Sequence, residues 1–132
     1  MKSFAVLGLS LSLFAATSAH AAAIYNESRK YFDENGILVG QQIALCSNHS
    51  YYAGNVHTAY VIDEEILCQG AGGKSPPQVS YIVPGTRIVS YTLPGFLGIE
   101  QACSIAECES SDVPEIDRLM DKGWTWNVGW GN

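Results

Sequence analysis

The clearest alternation of apolar and polar positions lies in residues 25–46. Asn35-Gly36 stands between two apolar runs there. This pair predicts a β-hairpin, because both residues of a two-residue turn must accept positive φ. Such a turn would place Phe32 opposite Val39. Residues two apart share one face of a strand, so we expect one face of the hairpin to be buried. Its members are Phe32, Ile37, Val39, Gln41, Ile43 and Leu45.

A second alternating stretch follows in residues 56–68. Val56, Thr58, Tyr60 and Ile62 stand at alternate positions, and an apolar run resumes at Ile66 after the acidic triplet of residues 63–65, DEE. The pattern predicts either a pair of strands or one strand with a bend. Three consecutive carboxylates suggest a cation site, but hard cations need oxygen ligands from several parts of a chain. We therefore interpret the acidic triplet as a solvated turn.

A short internal repeat opens the second half of the chain. Residues 79–85 read VSYIVPG, and residues 89–95 read VSYTLPG. Each copy predicts a strand that ends in a Pro-Gly turn. A three-residue loop from Pro84 to Thr86 would set Tyr81 opposite Val89 and keep the apolar faces consistent, which a two-residue loop would not.

The region after the repeat predicts one short helix. Asp112-x-x-Glu115 resembles a capping box, and Gly123 stands where a C-terminal glycine cap belongs. These signals predict a helix over about residues 113–122 that packs on the sheet. Residues 103–108 resemble a pinched loop between two cysteines. The expected fold class is therefore mostly β, a small antiparallel sheet domain with one short C-terminal helix and two disulfides.

Residues 69–78, QGAGGKSPPQ, have the composition of a Gly/Pro linker. They separate residues 24–68 from residues 79–132. Segments of this size rarely fold alone without covalent staples. We therefore expect a single small β-rich domain over residues 22–132, within which the two segments could form subdomains.

The first 21 residues have the pattern of a secretory signal peptide. Lys2 supplies a positive charge, residues 4–16 carry no charge, and Ala19-His20-Ala21 has the small-x-small pattern of a cleavage site. We expect cleavage after Ala21, with Ala23 as the near alternative. A membrane anchor is the competing interpretation, but the apolar run is shorter than the roughly 20 residues of a transmembrane span. The expected location is secreted or periplasmic.

All four cysteines lie after the predicted signal peptide: Cys46, Cys68, Cys103 and Cys108. An even number in an oxidising compartment predicts two disulfides, and three pairings are possible. Cys46–Cys68 and Cys103–Cys108 are favoured, because each pair lies within one segment. A zinc site made from Cys46, His49, His57 and Cys68 is the alternative, but its spacing does not match paired zinc ligands. We expect neither a metal nor a cofactor.

The composition of the chain excludes several classes of protein. The chain of 132 residues is 47% hydrophobic and has a formal net charge of −6. The hydrophobic share argues against a disordered chain, and the negative charge argues against a protein that binds nucleic acid by neutralising phosphates. No run is long and apolar enough to predict a membrane span after the signal peptide.

The sequence contains no recognisable catalytic motif. A base for hydrolysis would have to come from His49 or His57, whose positions in the sequence do not indicate a catalytic arrangement. Aromatic residues are better candidates for recognition, because tryptophan and tyrosine are favoured at interfaces and stack on sugar rings. We expect one of Trp124 and Trp126 to be buried in the core. The candidate binding residues are Tyr51, Tyr52, Trp124, Trp126 and Trp130.

Trp130 stands between glycines near the end of the sequence, a flexible setting that argues against firm core packing. We therefore expect Trp130 to be accessible to solvent. Tyr51 and Tyr52 lie in a turn-rich segment, and neighbouring residues of a strand face opposite ways. One of these two tyrosines should also be accessible.

Residues 25–68 resemble small exported, cysteine-containing proteins of unknown function from Gram-negative bacteria. The resemblance rests on the following residues: Tyr31-Phe32-Asp33, Val39-Gly40, Cys46, His57-Thr58-Ala59-Tyr60 and Cys68. It implies export and paired cysteines, and it implies no activity or functional residue. The function we expect is that of an exported, non-catalytic binding protein whose partner is a protein or a carbohydrate. The alternative is a small secreted hydrolase that uses His49 or His57.

Overall fold

The computed structural model describes residues 23–68, 79–110, 114 and 121–131. Six strands form one antiparallel sheet in the order β5-β4-β1-β2-β3-β6, and one short helix accompanies them. The predicted mostly β fold class is confirmed. The strands are β1 (Tyr25–Phe32), β2 (Leu38–Ala44), β3 (Ser50–Gly54), β4 (Tyr60–Leu67), β5 (Ile88–Thr92) and β6 (Asn127–Val128), and the helix is α1 (Ile99–Ala106).

Strands from both sides of the Gly/Pro stretch join the same sheet. β5 pairs with β4, and β6 pairs with β3. The stretch itself, residues 69–78, lies outside the described residues, as do the predicted signal peptide and most of the predicted helix over residues 113–122.

The hairpin between β1 and β2 forms, but its register differs from the prediction. Asp33 N–H donates to Ile37 O at 2.9 Å, so the loop holds three residues, with Gly36 at φ 76°. Asp33 Oδ1 also accepts the N–H groups of Asn35 and Ile37, which stabilises the longer loop. A bulge follows, and Phe32 pairs with Leu38 rather than Val39. Leu38 is consequently buried, and Ile37 is 58% exposed.

The acidic triplet does not form a turn. Asp63, Glu64 and Glu65 lie inside β4, which continues through them without a break between Tyr60 and Leu67. The prediction was wrong because it judged the triplet by its charge alone. A pleated strand sends alternate side chains to opposite faces, so three consecutive acids can occupy two different environments.

Only the second copy of the internal repeat becomes a strand. Residues 79–87 form no strand, contrary to the prediction, whereas β5 covers most of the second copy. The turn between the copies still fits the three-residue loop, because Ile82 N–H donates to Ile88 O at 2.9 Å. Gly85, at φ 80°, follows Pro84 as a type II turn requires.

The two predicted disulfides are present, Cys46–Cys68 and Cys103–Cys108. The second does not close a simple loop. Cys103 lies inside α1, and the helix ends at Glu107 in the left-handed conformation before the chain reaches Cys108. The helix was not predicted, because its N-cap residue, Gly98, has no side chain that could signal the start of α1.

The core lies between one face of the sheet, here called the inner face, and α1. Ala102 and Ala106 on the helix are fully buried against this face. The buried cluster consists of Phe32, Leu38, Ile62, Ile88, Leu97, Ala102 and Ala106. In the described part of the chain, no helix has the length and apolar character of a bilayer-spanning segment.

Candidate functional site

Charged residues occupy both faces of the central strand pair, β1 and β4. On the face opposite α1, here called the outer face, Glu27 pairs with Glu65 and Arg29 pairs with Asp63. Lys30 and Glu64 project from alternate positions of the same strands and lie on the inner face. The two strands therefore build two separate charged sites.

The inner site is a buried ion cluster. Lys30 Nζ lies 3.0 Å from Glu64 Oε1 and 3.4 Å from Glu109 Oε1, and all three side chains are almost completely inaccessible. Lys30 Nζ also donates to Glu107 O at 2.8 Å, and Glu109 N–H donates to Glu64 Oε2. The cluster thus attaches the segment after α1 to the middle of the sheet.

Burial dominates the electrostatics of this cluster. It raises the pKa of Glu64, and the nearby ammonium of Lys30 opposes the rise. Lys30 serves both carboxylates, and the three side chains are almost completely inaccessible, so a ligand has no access to them. We assign the inner site a structural role.

The outer site is an open pocket with a volume of about 210 Å³. It lies over β1 and β4, at the point where β5 adds to the sheet. Because it opens at the surface, its side chains are available to a ligand. Its lining residues are Glu27, Ser28, Arg29, Asp63, Glu64, Glu65, Val89, Ser90 and Trp130.

An ion pair organises one half of the pocket. Arg29 Nε donates to Asp63 Oδ1, and Ser90 Oγ donates to Asp63 Oδ2 at 3.0 Å. The hydrogen bond to Asp63 is the main cause of the raised pKa of Arg29. Both oxygens of Asp63 therefore have partners, and this half of the pocket is electrostatically balanced.

The other half holds two carboxylates, Glu27 and Glu65, directly opposite each other on adjacent strands. Burial is the largest cause of the raised pKa of Glu65, and the charges of Glu27 and Asp63 raise it further. Like charges opposite each other destabilise a sheet. Among the described residues, the ion pairs give neither glutamate a cationic partner.

The C-terminal segment fixes the position of Trp130 at the pocket. β6 pairs with β3, Gly129 N–H donates to Ser50 O at 2.8 Å, and Gly131 N–H donates to Gln42 Oε1 at 3.0 Å. Gln42 is buried, and its Nε2 donates to Tyr31 Oη at 3.3 Å. The backbone is therefore held on both sides of Trp130.

Gly131 lies close to the sheet. A Cβ at this position would be 2.4 Å from Val56 Cγ2 and 3.2 Å from the ring of Tyr52. The absence of a side chain lets the segment lie flat on the outer face. Trp130 is 41% exposed, and hydrogen bonds hold the backbone on either side of it.

The structure separates the other predicted binding aromatics from Trp130. Tyr51 shares the face of Ile43, and Tyr52 lies on the outer face beside Gly131. Both tyrosines are partly exposed. Trp124 and Trp126 are partly buried against the core cluster. Only Trp130 among the five lines the pocket.

Sequence reasoning missed the charged residues of the pocket. Glu27 and Arg29 alternate along β1, and Asp63 and Glu65 alternate along β4. This period of two was a usable signal, but the interpretation of residues 63–65 as a turn concealed it. The pairing of the two strands, which only the fold establishes, brings the four side chains together.

The two histidines lie apart. His49 precedes β3 and His57 follows it, and both are exposed. A strand of this length separates its ends by roughly 15 Å. His49 Nδ1 lies 3.0 Å from Ser47 Oγ, and neither histidine lines the pocket. Within the described ranges, no three or more His, Cys, Asp and Glu side chains are placed to hold a metal ion.

Comparison with family models, with curated proteins and with solved structures finds no match to this chain.

Proposed function

We propose that the chain is an exported, non-catalytic binding protein and that the outer pocket is its binding site. The proposal of export rests on the signal-peptide pattern in residues 1–21. The two disulfides are compatible with an oxidising compartment. The proposal of binding rests on the geometry around Trp130.

The observation that carries the proposal is an exposed tryptophan whose backbone is fixed. Trp130 lines the pocket, and the hydrogen bonds of Gly129 and Gly131 hold its backbone in place. A segment whose backbone is already held loses less conformational entropy when a ligand arrives. Tryptophan also ranks among the residues that contribute most to binding at interfaces.

The size of the pocket indicates the scale of the ligand. Sites for drug-sized molecules span about 300–1,000 Å³, and the outer pocket has about 210 Å³. It therefore suits one amino-acid side chain or one small group of a larger partner. A protein and a carbohydrate both offer groups of this size.

A small secreted hydrolase that uses His49 or His57 remains the alternative proposal, and the geometry gives it less support. The two histidines flank opposite ends of β3, and the pocket is lined by neither. A general base must lie within hydrogen-bond reach of its substrate. A substrate in the outer pocket would not meet that condition.

The binding proposal is tested by titrating the ¹⁵N-labelled protein while the indole N–H signal of Trp130 is recorded. The probes are N-acetyl amino-acid amides with cationic, anionic and neutral side chains, together with mono- and disaccharides. At least one class should shift this signal saturably at millimolar concentration. Isothermal titration calorimetry, which does not depend on the Trp130 signal, measures binding in the variants. Binding should disappear in Trp130→Ala and persist in Phe96→Ala, which removes an aromatic residue that is 67% exposed and lies outside the pocket.

Two results would contradict the binding proposal. One is that no probe shifts the signal, and the other is that binding persists in Trp130→Ala. Export is tested separately by the intact mass of secreted or periplasmic material, which should correspond to a chain that begins at Ala22. Retention of Met1 in a membrane fraction would reject it.

A further inference from the structure

The charge distribution in the outer pocket is unequal. Arg29 neutralises Asp63 within one cross-strand pair, whereas the adjacent pair on the same face consists of two glutamates. Residues directly opposite on antiparallel strands have Cβ atoms about 5 Å apart. The pocket thus carries net negative charge on the side of Glu27 and Glu65.

A positively charged ligand can stabilise this pair of glutamates electrostatically. The carboxylates of two glutamates on directly opposite positions repel each other, and a cation placed between them replaces repulsion with two attractions. Burial is the largest cause of the raised pKa of Glu65, and the negative charge of Glu27 raises it further. Glu65 is only partly exposed, so water screens the interaction less than at an open surface.

The aromatic wall of the pocket favours the same kind of ligand. An indole attracts ammonium and guanidinium groups more strongly than the other aromatic side chains do. Trp130 lines the cavity that Glu27 and Glu65 line, so one cation can be reached by all three. A volume of about 210 Å³ accommodates the end of one extended side chain.

Other ligands fit these features less well. Among the residues that the structure describes, no cluster of metal-ligating side chains meets the requirement for a metal ion. A neutral sugar could stack on Trp130 and bond to Arg29. It would leave Glu27 and Glu65 without a counter-charge, however, and burial beneath the sugar would increase their repulsion.

We infer that the outer pocket binds the ammonium or guanidinium group of a lysine or arginine side chain on a partner polypeptide, between Glu27, Glu65 and Trp130. This inference rests on the proposed binding function and names its ligand. Arg29 and Asp63 form the balanced half of the pocket.

The test measures affinity by Trp130 fluorescence and by the indole N–H shift. The probes are N-acetyl-lysine methylamide, its arginine counterpart, the uncharged isostere N-acetyl-norleucine methylamide, and a free diamine. Both cationic amides should bind at least about fivefold more tightly than the norleucine amide. A lysine-containing tripeptide should bind more tightly than the diamine if the partner is a polypeptide.

Two double variants test whether Glu27 and Glu65 cause the preference for cationic probes. Glu27→Gln/Glu65→Gln should weaken binding of the lysine amide about fivefold or more and reduce its preference over norleucine. Glu34→Gln/Glu100→Gln is the matched control, because it removes the same charge from two exposed sites outside the pocket. It should change the affinity by less than about twofold. Circular dichroism confirms that each variant is folded.

The outcomes separate the inference from the proposed function. If norleucine or a saccharide binds at Trp130 as tightly as the lysine amide does, the inference is wrong and the binding function stands. Equal binding of the diamine and the tripeptide rejects a polypeptide as the source of the cation. If no probe binds, both the inference and the proposed function fail.

Discussion

The inner and outer sites use the same two strands for opposite purposes. On the inner face, Lys30 lies between Glu64 and Glu109, and backbone groups complete the bonding. On the outer face, Arg29 pairs with Asp63, and Glu27 and Glu65 remain without a cationic partner among the described residues. One cluster is closed and the other is open and incomplete. The difference indicates that carboxylates without a cation beside a cavity mark a binding site, whereas carboxylates that share a buried cation under the sheet mark a structural one.

The largest expected effect comes from removing the inner cation. Lys30→Met leaves two buried carboxylates without their ammonium partner, and we expect a loss of about 3–5 kcal/mol in the free energy of unfolding. Arg29→Met is the matched control on the neighbouring position of β1, and it should lose less than about 1 kcal/mol because the pair is partly exposed. Urea unfolding measures both. Equal losses of unfolding free energy in the two variants would contradict the structural role assigned to the inner site.

The next effect concerns the disulfide beside the inner cluster. Cys103→Ala/Cys108→Ala opens the link between α1 and the segment that supplies Glu107 O and Glu109 N–H. The chain-entropy model gives a loss of about 2 kcal/mol. Thermal unfolding measures the loss, and the indole N–H signal of Trp130 should stay in place because the outer face is untouched. A shift of this signal would show that the two sites are coupled.

A smaller effect is expected from a methyl group under the C-terminal segment. In Gly131→Ala the new Cβ would meet Val56 Cγ2 at 2.4 Å, so the segment must move off the outer face. We expect a loss of about 1 kcal/mol and increased quenching of Trp130 by acrylamide. Gly95→Ala serves as the control, since nothing lies within 4 Å of the added Cβ. Unchanged quenching in Gly131→Ala would show that this contact does not position the tryptophan.

The smallest effect is a change in pH dependence on the outer face. The pKa of Glu65 in the folded protein is raised above its ordinary value of 4.5. The protonated side chain therefore favours the folded state, and this contribution to stability is fully present below pH 4.5. It is lost as the pH rises through the folded-state pKa. Glu65→Gln cannot ionise, so the variant does not lose this stability as the pH rises. The variant should therefore gain stability relative to the parent protein as the pH rises above 4.5, by up to about 1 kcal/mol at neutral pH.

Urea midpoints between pH 4 and 7 measure this change, with Glu34→Gln as the exposed control. A difference that shrinks as the pH rises would contradict the assigned sign. So would an equal gain in the Glu34 variant, because Glu34 lies on the exposed hairpin loop, away from the pocket.

Local signals in the sequence predicted several features of the fold. Cys46–Cys68 and Cys103–Cys108 follow from separation along the chain. The hairpin at Asn35-Gly36 follows from turn chemistry, although the bonds of Asp33 lengthened the loop by one residue. Helix α1 was missed, because it has no side-chain N-cap and a disulfide and tertiary packing stabilise it.

The candidate site was less predictable, since its parts are distant in sequence. Trp130 was identified as a candidate for recognition from its position and chemistry alone. Nothing local to Glu27 or Arg29 revealed that Glu65 and Asp63 would lie opposite them.

The sequence by itself determined the alternation of charged side chains along β1 and β4, because the period of a strand follows from its backbone geometry. It also determined the cysteine spacing and the glycines that flank Trp130. The tertiary structure decided which face became closed and which became a pocket. That choice depends on where α1 packs, on the antiparallel register that sets Glu27 against Glu65, and on the bonds that hold Gly129 and Gly131. These are long-range contacts, and their free energy exists only when distant segments meet.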